Sequence, residues 1–163
     1  MSSPSDETTP LDAAGGKDTP ALASSQSQPP RRILLVEDDT GTRRLYSEAL
    51  TGSGYQVDTA EDGEAGWQAL QAGSRATGSY DLLITDNNMP KLSGVELIQK
   101  LRAGRMALPV ILASGSAPLN TGWLQLAAVL PKPFSLDELV RTVKAVLHTA
   151  NNDCEKVNLP GRG

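Results

Sequence analysis

The segment LLITDNNMP, residues 82–90, begins as a strand and ends in polar residues. Three apolar residues precede Thr85, Asp86 closes the run, and two asparagines and a Met-Pro pair follow. A short apolar run bounded by turn residues is typical of a strand that is buried on both faces. Asp86 would then lie at the mouth of a buried strand, where a charge is either an incidental surface group or a functional one.

Five predicted strands, of which YQVDTA is predicted from alternation and not from an apolar run, alternate with stretches of helical spacing. The predicted strands are ILLV (33–36), YQVDTA (55–60), DLLIT (81–85), PVILAS (109–114) and AAVL (127–130). The predicted helices cover residues 43–50, 64–72, 93–103 and 135–148. In the first helix, Leu45, Ala49 and Leu50 are expected to share one apolar face. The last two helices begin with Ser93 and Ser135, each followed three residues later by Glu, which is a capping-box signal.

Apolar strands that alternate with helices favour a parallel sheet with both faces covered. We therefore predict an α/β fold, a doubly wound five-stranded parallel sheet with (βα)5 connectivity and the flavodoxin-like strand order 2-1-3-4-5. Residues 31–149 would form this single domain. Residues 1–30, rich in Ser, Pro and Thr, are predicted to be a disordered tail, and residues 150–163 a flexible one. Only about fifteen residues follow the last predicted helix, so we expect a receiver without an output domain.

Composition excludes several classes of function. The chain has 163 residues and a formal net charge of −4, and no run of Lys and Arg marks a nucleic-acid or membrane surface. It has no apolar run of membrane-spanning length, and its first ten residues lack the basic start and hydrophobic centre typical of a signal peptide. The single cysteine, Cys154, cannot form an internal disulfide, so we expect a cytoplasmic protein.

Polar residues follow the carboxyl ends of four predicted strands. In this order strands one and three are neighbours at the switch point, where such sheets bind ligands, so Asp86 should lie beside Glu37 and Asp38. The residues expected at this edge are Glu37, Asp38, Asp39, Asp86, Ser114 and Lys132.

A cluster of three carboxylates needs a cation, because mutual repulsion otherwise raises their pKa values. Mg²⁺ prefers oxygen ligands and keeps several waters. With Mg²⁺ on one side and Lys132 on the other, Asp86 could act as a nucleophile toward phosphorus. The metal, Lys132 and the Ser114 hydroxyl would neutralise the oxygens of the transferred phosphoryl group.

Four motifs at these strand ends resemble the response-regulator receiver domain of bacterial two-component signalling. They are VEDD after strand one, DNNMP after strand three, ASG after strand four and PKPF after strand five. The resemblance covers about residues 31–149. It implies that Asp86 accepts a phosphoryl group from a histidine kinase or a phosphotransfer protein. It also implies that Lys132 pairs with the phosphoryl group and that Ser114 donates a hydrogen bond to it.

The resemblance further implies a set of metal ligands. Asp38 would bind Mg²⁺ directly, Glu37 would act through water, and Asn88 would contribute its backbone carbonyl. The Lys132–Pro133 peptide bond is expected to be cis, as in the family.

The sequence departs from the family between strands four and five. The switch position three residues before the lysine is usually aromatic, but here it is Val129. The preceding segment is about one turn shorter than usual and contains Pro118 and Gly122, so the fourth helix should be short or irregular. We therefore expect a monomer that does not dimerise on phosphorylation. It would contact an unknown downstream protein through the first helix or through the segment carrying Trp123.

Several alternatives accompany this interpretation. Asp39 and Thr40 are expected to cap a helix rather than bind metal, and Lys91 to be a solvated loop charge. A magnesium-dependent phosphohydrolase with an aspartate nucleophile is the alternative function, but the first strand ends in EDDTG and lacks the D-x-D spacing of haloacid-dehalogenase-like phosphatases. A dinucleotide-binding domain lacks its G-x-G-x-x-G motif. We therefore predict a receiver that is not an enzyme.

Overall fold

The computed structural model describes residues 29–75, 79–116 and 122–157. Within these ranges the chain forms five β-strands and four α-helices in alternation, with one 3-10 turn. The strands are β1 (Arg32–Val36), β2 (Gln56–Ala60), β3 (Leu82–Asp86), β4 (Val110–Ser114) and β5 (Ala128–Pro131). The helices are α1 (Thr40–Gly52), α2 (Gly63–Arg75), α3 (Gly94–Ala103) and α4 (Leu136–Val157), and the 3-10 turn is Gly122–Leu124.

The five strands form one parallel sheet in the order β2-β1-β3-β4-β5, which confirms the predicted topology. The central strands β1, β3 and β4 are almost entirely buried. In the register of the sheet, Val36 lies opposite Thr85, and Asp86 lies opposite Ala113. The acidic residues after β1 and at the end of β3 are therefore brought to the same edge, because both strands end at the same level.

Two apolar cores cover the two faces of the sheet, since successive side chains of a strand point to opposite faces. Ile33 and Leu35 pack in one core, which includes Leu50 of α1 and Leu139 of α4. Leu34 and Val36 face the other core, with Leu70 of α2 and with Leu97, Ile98 and Leu101 of α3.

Side-chain caps fix where three helices begin. Asp39 accepts a hydrogen bond from the Thr42 N–H at 2.7 Å and so caps α1. Ser93 and Glu96 form the predicted capping box at α3, with bonds of 3.2 and 2.8 Å. The equivalent pair at α4 is also formed: Glu138 N–H donates to the Ser135 hydroxyl oxygen at 3.1 Å, and Ser135 N–H donates to the Glu138 carboxylate at 2.8 Å. Both capping-box predictions are confirmed.

The structure differs from the sequence-based expectations in two helices. Leu45 is 54% exposed and does not share a buried face with Leu50, because α1 packs through Tyr46 and Leu50 instead. The last helix extends to Val157, well beyond the predicted end at His148, and so enters the segment predicted to be a flexible tail.

The connection between β4 and β5 is irregular, as predicted. Its described part contains only the 3-10 turn Gly122–Leu124, and residues 117–121, including Pro118, lie outside the described residues. The predicted disordered tail falls on residues 1–30, of which 1–28 lie outside the described part of the chain. Among the described helices, none combines the length and apolar character needed to cross a bilayer.

Candidate functional site

Three acidic residues meet where β1 and β3 end. Asp86 is the last residue of β3 and is only 7% exposed, and Glu37 follows β1 and is 2% exposed. Asp38 lies beside them at the exposed rim. One carboxylate oxygen from each of the three lies within 4.8 Å of the others. The structure therefore brings together the acidic cluster that the strand order predicted.

Lys132 lies against both buried carboxylates. Its Nζ atom is 3.3 Å from Glu37 Oε2 and 3.2 Å from Asp86 Oδ1. The Lys132 N–H donates to the Ser114 carbonyl at 2.9 Å, which fixes the backbone just beyond β5. The Lys132–Pro133 peptide bond is cis, as expected. A single ammonium group thus balances two carboxylates that are shielded from water.

Burial acts on the pKa values of Glu37 and Lys132 in opposite directions. It raises the pKa of Glu37, and repulsion from Asp86 acts in the same direction, although the Asp39 N–H and Lys132 oppose both effects. Burial lowers the pKa of Lys132, but attraction to Glu37 and Asp86 outweighs it, so the pKa is raised overall. The raised pKa holds Lys132 as a cation between Glu37 and Asp86.

Two residues that the sequence analysis did not single out shape the acceptor end of β3. The Asn87 N–H donates to Asp86 Oδ1 at 2.8 Å, and the Asn87 side-chain oxygen accepts from the Val95 N–H at 3.1 Å. Gly94 lies so close to β3 that an added Cβ would be 2.3 Å from the Asp86 carbonyl oxygen. The only sequence signal for this contact is a glycine at the first position of a helix, where better helix formers are available.

Arg43 is a third residue missed from sequence, and it supports the acidic loop after β1. Its guanidinium donates to the Glu37 carbonyl at 2.7 Å and more weakly to the Asp38 carbonyl at 3.4 Å. A cation on α1 therefore fixes the backbone that presents both acids, without pairing with either carboxylate.

The remaining predicted residues occupy different positions around the cluster. Ser114 is buried at the end of β4, and its hydroxyl donates to the Ser116 carbonyl at 2.6 Å. Asn88 is exposed in the loop after β3, and the role of its carbonyl stays a prediction. Asp39 is the N-cap of α1, which confirms the capping interpretation for this residue, whereas Thr40 is the first residue of the helix itself.

Lys91 is a loop charge whose side chain is 65% exposed, as predicted, and its ammonium group also lies 3.1 Å from the carboxylate of the buried Asp62. The sequence carries only part of the signal for this ion pair. Asp62 precedes a helix as an N-cap residue would, but nothing in the sequence indicates that the segments carrying Asp62 and Lys91 meet.

The donor set suits a hard divalent cation. Three carboxylates supply the oxygen ligands that Mg²⁺ prefers, and the exposed position of Asp38 leaves the rim open to the waters that Mg²⁺ retains. Glu37, Asp38 and Asp86 could therefore hold such an ion beside Lys132.

Several known proteins are similar to this chain in sequence and fold. The family model of the response regulator receiver domain matches residues 33–144. The cell cycle transcriptional regulator CtrA of Caulobacter vibrioides is 30% identical over 130 residues, which cover 77% of this chain and 54% of CtrA. The probable transcriptional regulatory protein SilR of Salmonella typhimurium is 36% identical over 124 residues, or 74% of this chain and 52% of SilR. The chain thus spans about half the length of these relatives.

A solved structure of the response regulator TrrA of Thermotoga maritima, in complex with Mg²⁺-BeF, is also similar. It is 33% identical with a TM-score of 0.62, and the match covers 71% of this chain and 98% of TrrA. A CheY-like receiver domain from Methanospirillum hungatei superposes with a TM-score of 0.68 at 24% identity, over 76% of this chain and 98% of that one.

Proposed function

Because this chain belongs to the response regulator receiver domain family, we propose that it accepts a phosphoryl group on Asp86 in a magnesium-dependent reaction. The donor is a histidine kinase or a phosphotransfer protein. The observation that carries the proposal is the position of Lys132, whose ammonium contacts both Glu37 and Asp86 at the open edge of the sheet.

Each side chain has a role in this reaction. A carboxylate oxygen of Asp86 forms the new bond to phosphorus, while the bond from phosphorus to the donor's imidazole nitrogen breaks and its electron pair stays on that nitrogen. Lys132 turns from pairing with the free carboxylates to pairing with the phosphoryl oxygens. The Ser114 hydroxyl, now bonded to the Ser116 carbonyl, rotates to donate to a phosphoryl oxygen. Glu37, Asp38, Asp86 and the Asn88 carbonyl would hold Mg²⁺, which would supply positive charge to offset the charge that develops on the phosphoryl oxygens.

The phosphorylated domain signals through contact with a partner protein. CtrA and SilR are named as transcriptional regulators, and the chain matches about half of each. For the matched region we therefore propose only phosphoryl acceptance and contact with a partner protein.

The direct test is phosphorylation by acetyl phosphate in the presence of Mg²⁺. Wild type should gain one hydroxylamine-sensitive phosphoryl group, and Asp86→Asn should gain none, because the amide is not a nucleophile toward phosphorus. Asp137→Asn, an exposed acid at the start of α4, is the matched control and should be labelled like wild type. Near-ultraviolet circular dichroism checks that each variant is folded.

Two outcomes would contradict the proposal. Labelling that persists in Asp86→Asn would place the acceptor elsewhere. Fast, repeated release of inorganic phosphate from acetyl phosphate by the wild type would favour the phosphohydrolase alternative instead.

A further inference from the structure

The loop between β3 and α3, residues 87–93, contains a strained backbone position. The Leu92 N–H donates to the Pro90 carbonyl at 2.7 Å, and the residue between them, Lys91, has a φ of 69°. This is a γ-turn of the rare form with positive φ. Glycine adopts such a φ at little cost, whereas a side chain does so only where its surroundings hold it. Contacts of the Lys91 side chain are therefore expected to contribute to holding this conformation.

The Lys91 side chain reaches a fixed acceptor at the start of α2. Its Nζ atom is 3.1 Å from Asp62 Oδ2, and Asp62 is only 4% exposed. The other carboxylate oxygen of Asp62 accepts the Ala65 N–H at 2.7 Å, and its carbonyl accepts the Gly66 N–H at 2.9 Å. Asp62 cannot follow the loop if the loop moves, because the helix fixes its position.

The backbone of the loop is also pressed against this helix. A Cβ added to Gly63 would lie 2.2 Å from the Leu92 carbonyl oxygen and 2.7 Å from Leu92 Cβ. The loop and the start of α2 therefore meet at van der Waals distance. The ion pair closes a contact between two segments that are distant in sequence.

The opposite end of the loop belongs to the acceptor site. Asn87 donates its N–H to Asp86 Oδ1 at 2.8 Å, and the Asn87 carbonyl accepts the Gly94 N–H at 3.0 Å. Asn88 lies between these contacts and the Lys91 turn. Its backbone conformation is thus set from two sides, by β3 and α3 on one and by the Asp62–Lys91 pair on the other.

We propose that Asp62 and Lys91 are a positioning pair that holds the β3–α3 loop in the conformation required for metal binding and phosphoryl acceptance at Asp86. This rests on the proposed function of Asp86. Neither residue touches the reacting atoms. The pair orders the loop before the metal binds. The entropy cost of ordering the loop therefore does not reduce the free energy of metal binding.

Charge-removing substitutions that keep the local geometry test the pair. Asp62→Asn retains a side-chain oxygen for the Ala65 N–H, and Lys91→Gln retains most of the side-chain length. Each substitution should raise the Mg²⁺ concentration at half-saturation by about threefold, as expected for a partly exposed ion pair. The NMR shifts of the Asn87 and Asn88 amides measure this concentration. The double variant should be no worse than either single one, because both remove the same interaction. Lys144→Gln, an exposed lysine on α4, is the control.

A second variant separates the side chain from the backbone strain. Lys91→Gly removes the ammonium group but adopts the positive φ without strain. If the pair positions the loop, Lys91→Gly should lose Mg²⁺ affinity as Lys91→Gln does, while its midpoint of chemical denaturation stays at or above that of wild type. If it binds Mg²⁺ like wild type, the backbone alone holds the loop and the proposal is overturned.

The outcomes distinguish this inference from the proposed function. Absence of labelling in wild type would refute phosphoryl acceptance itself. Normal labelling of wild type, together with unchanged Mg²⁺ affinity and phosphorylation rate in Asp62→Asn and Lys91→Gln, would refute the positioning role only. A lower denaturation midpoint with unchanged Mg²⁺ affinity would assign the pair to stability and also refute it.

Discussion

At the scale of single residues, the site is defined by an imbalance of charge. Lys132 contacts both Glu37 and Asp86, and Asp38 adds a third carboxylate nearby. Burying carboxylates without full compensation is costly, and here burial raises the pKa of Glu37. A divalent cation would relieve this cost. The same imbalance that destabilises the site without metal therefore favours binding of the metal.

The two adjacent aspartates after β1 should differ sharply in their effect on metal binding. Asp38 belongs to the acidic cluster, whereas the Asp39 carboxylate accepts the Thr42 N–H as the cap of α1. Asp38→Asn should weaken Mg²⁺ binding by about tenfold, because it removes a charged ligand. Asp39→Asn should leave it nearly unchanged, since asparagine caps a helix as well as aspartate does. Titration with Mg²⁺, followed by NMR, measures both. The reverse order would mean that Asp39 is the ligand.

At the scale of elements, the packing of α3 against β3 determines the shape of the acceptor end. Gly94→Ala should destabilise the fold by about 1–3 kcal/mol, as overpacking does, and should also slow phosphorylation. The added methyl carbon would overlap the Asp86 carbonyl oxygen, because the two atoms would be only 2.3 Å apart. Gly52→Ala, at the end of α1 with open space around it, is the matched control and should be neutral. Urea denaturation and acetyl phosphate labelling give the two readouts, and wild-type behaviour of Gly94→Ala would contradict the packing argument.

Arg102 links the irregular connection between β4 and β5 to the loop between α3 and β4. Its guanidinium donates to four backbone carbonyls, those of Leu124, Met106, Leu108 and Gln125, at 2.9–3.0 Å. We expect Arg102→Ala to lower the free energy of unfolding by about 1–3 kcal/mol, because these acceptors lose their donor.

Arg102→Lys is the informative comparison for this prediction. Lysine keeps the charge but lacks the planar fork that reaches several carbonyls at once, so it should restore little of the lost stability. Chemical denaturation measures both variants. Wild-type stability in Arg102→Lys would show that the charge, and not the several hydrogen bonds of the guanidinium, stabilises the connection.

The sequence was a good guide to those elements whose own pattern determines their position. Four of the strands follow from apolar runs and β2 from alternation, and the capping boxes at Ser93 and Ser135 follow from spacing alone. The exposed face of Leu45 and the long-range contacts of Arg102 and Lys91 did not follow. They depend on how helices dock on the sheet and on which loops meet, and local periodicity carries no information about either.

At the scale of the whole molecule, the acidic cluster and the irregular connection are linked through β4 and β5. Ser114 ends β4 opposite Pro131, and Val129 lies opposite Leu112 in the same ladder. The element that would carry a change from Ser114 outward is, in its described part, a 3-10 turn with Trp123 at 53% exposure. A short turn of this kind has few backbone hydrogen bonds of its own, so it is not expected to move as a rigid unit.

The oligomeric state after phosphorylation tests this whole-molecule view. Val129 has no ring to change position, and its β-branched side chain has few rotamers available. We therefore expect beryllofluoride with Mg²⁺ to change the loops around Asp86, Ser114 and Lys132 and to leave the protein a monomer. Sedimentation velocity with and without beryllofluoride makes the comparison, and Val129→Tyr supplies the missing aromatic ring as a matched variant. A beryllofluoride-dependent dimer of wild type, disrupted by substitutions on the exposed face of α4, would show that coupling to this face needs neither an aromatic residue nor a regular helix.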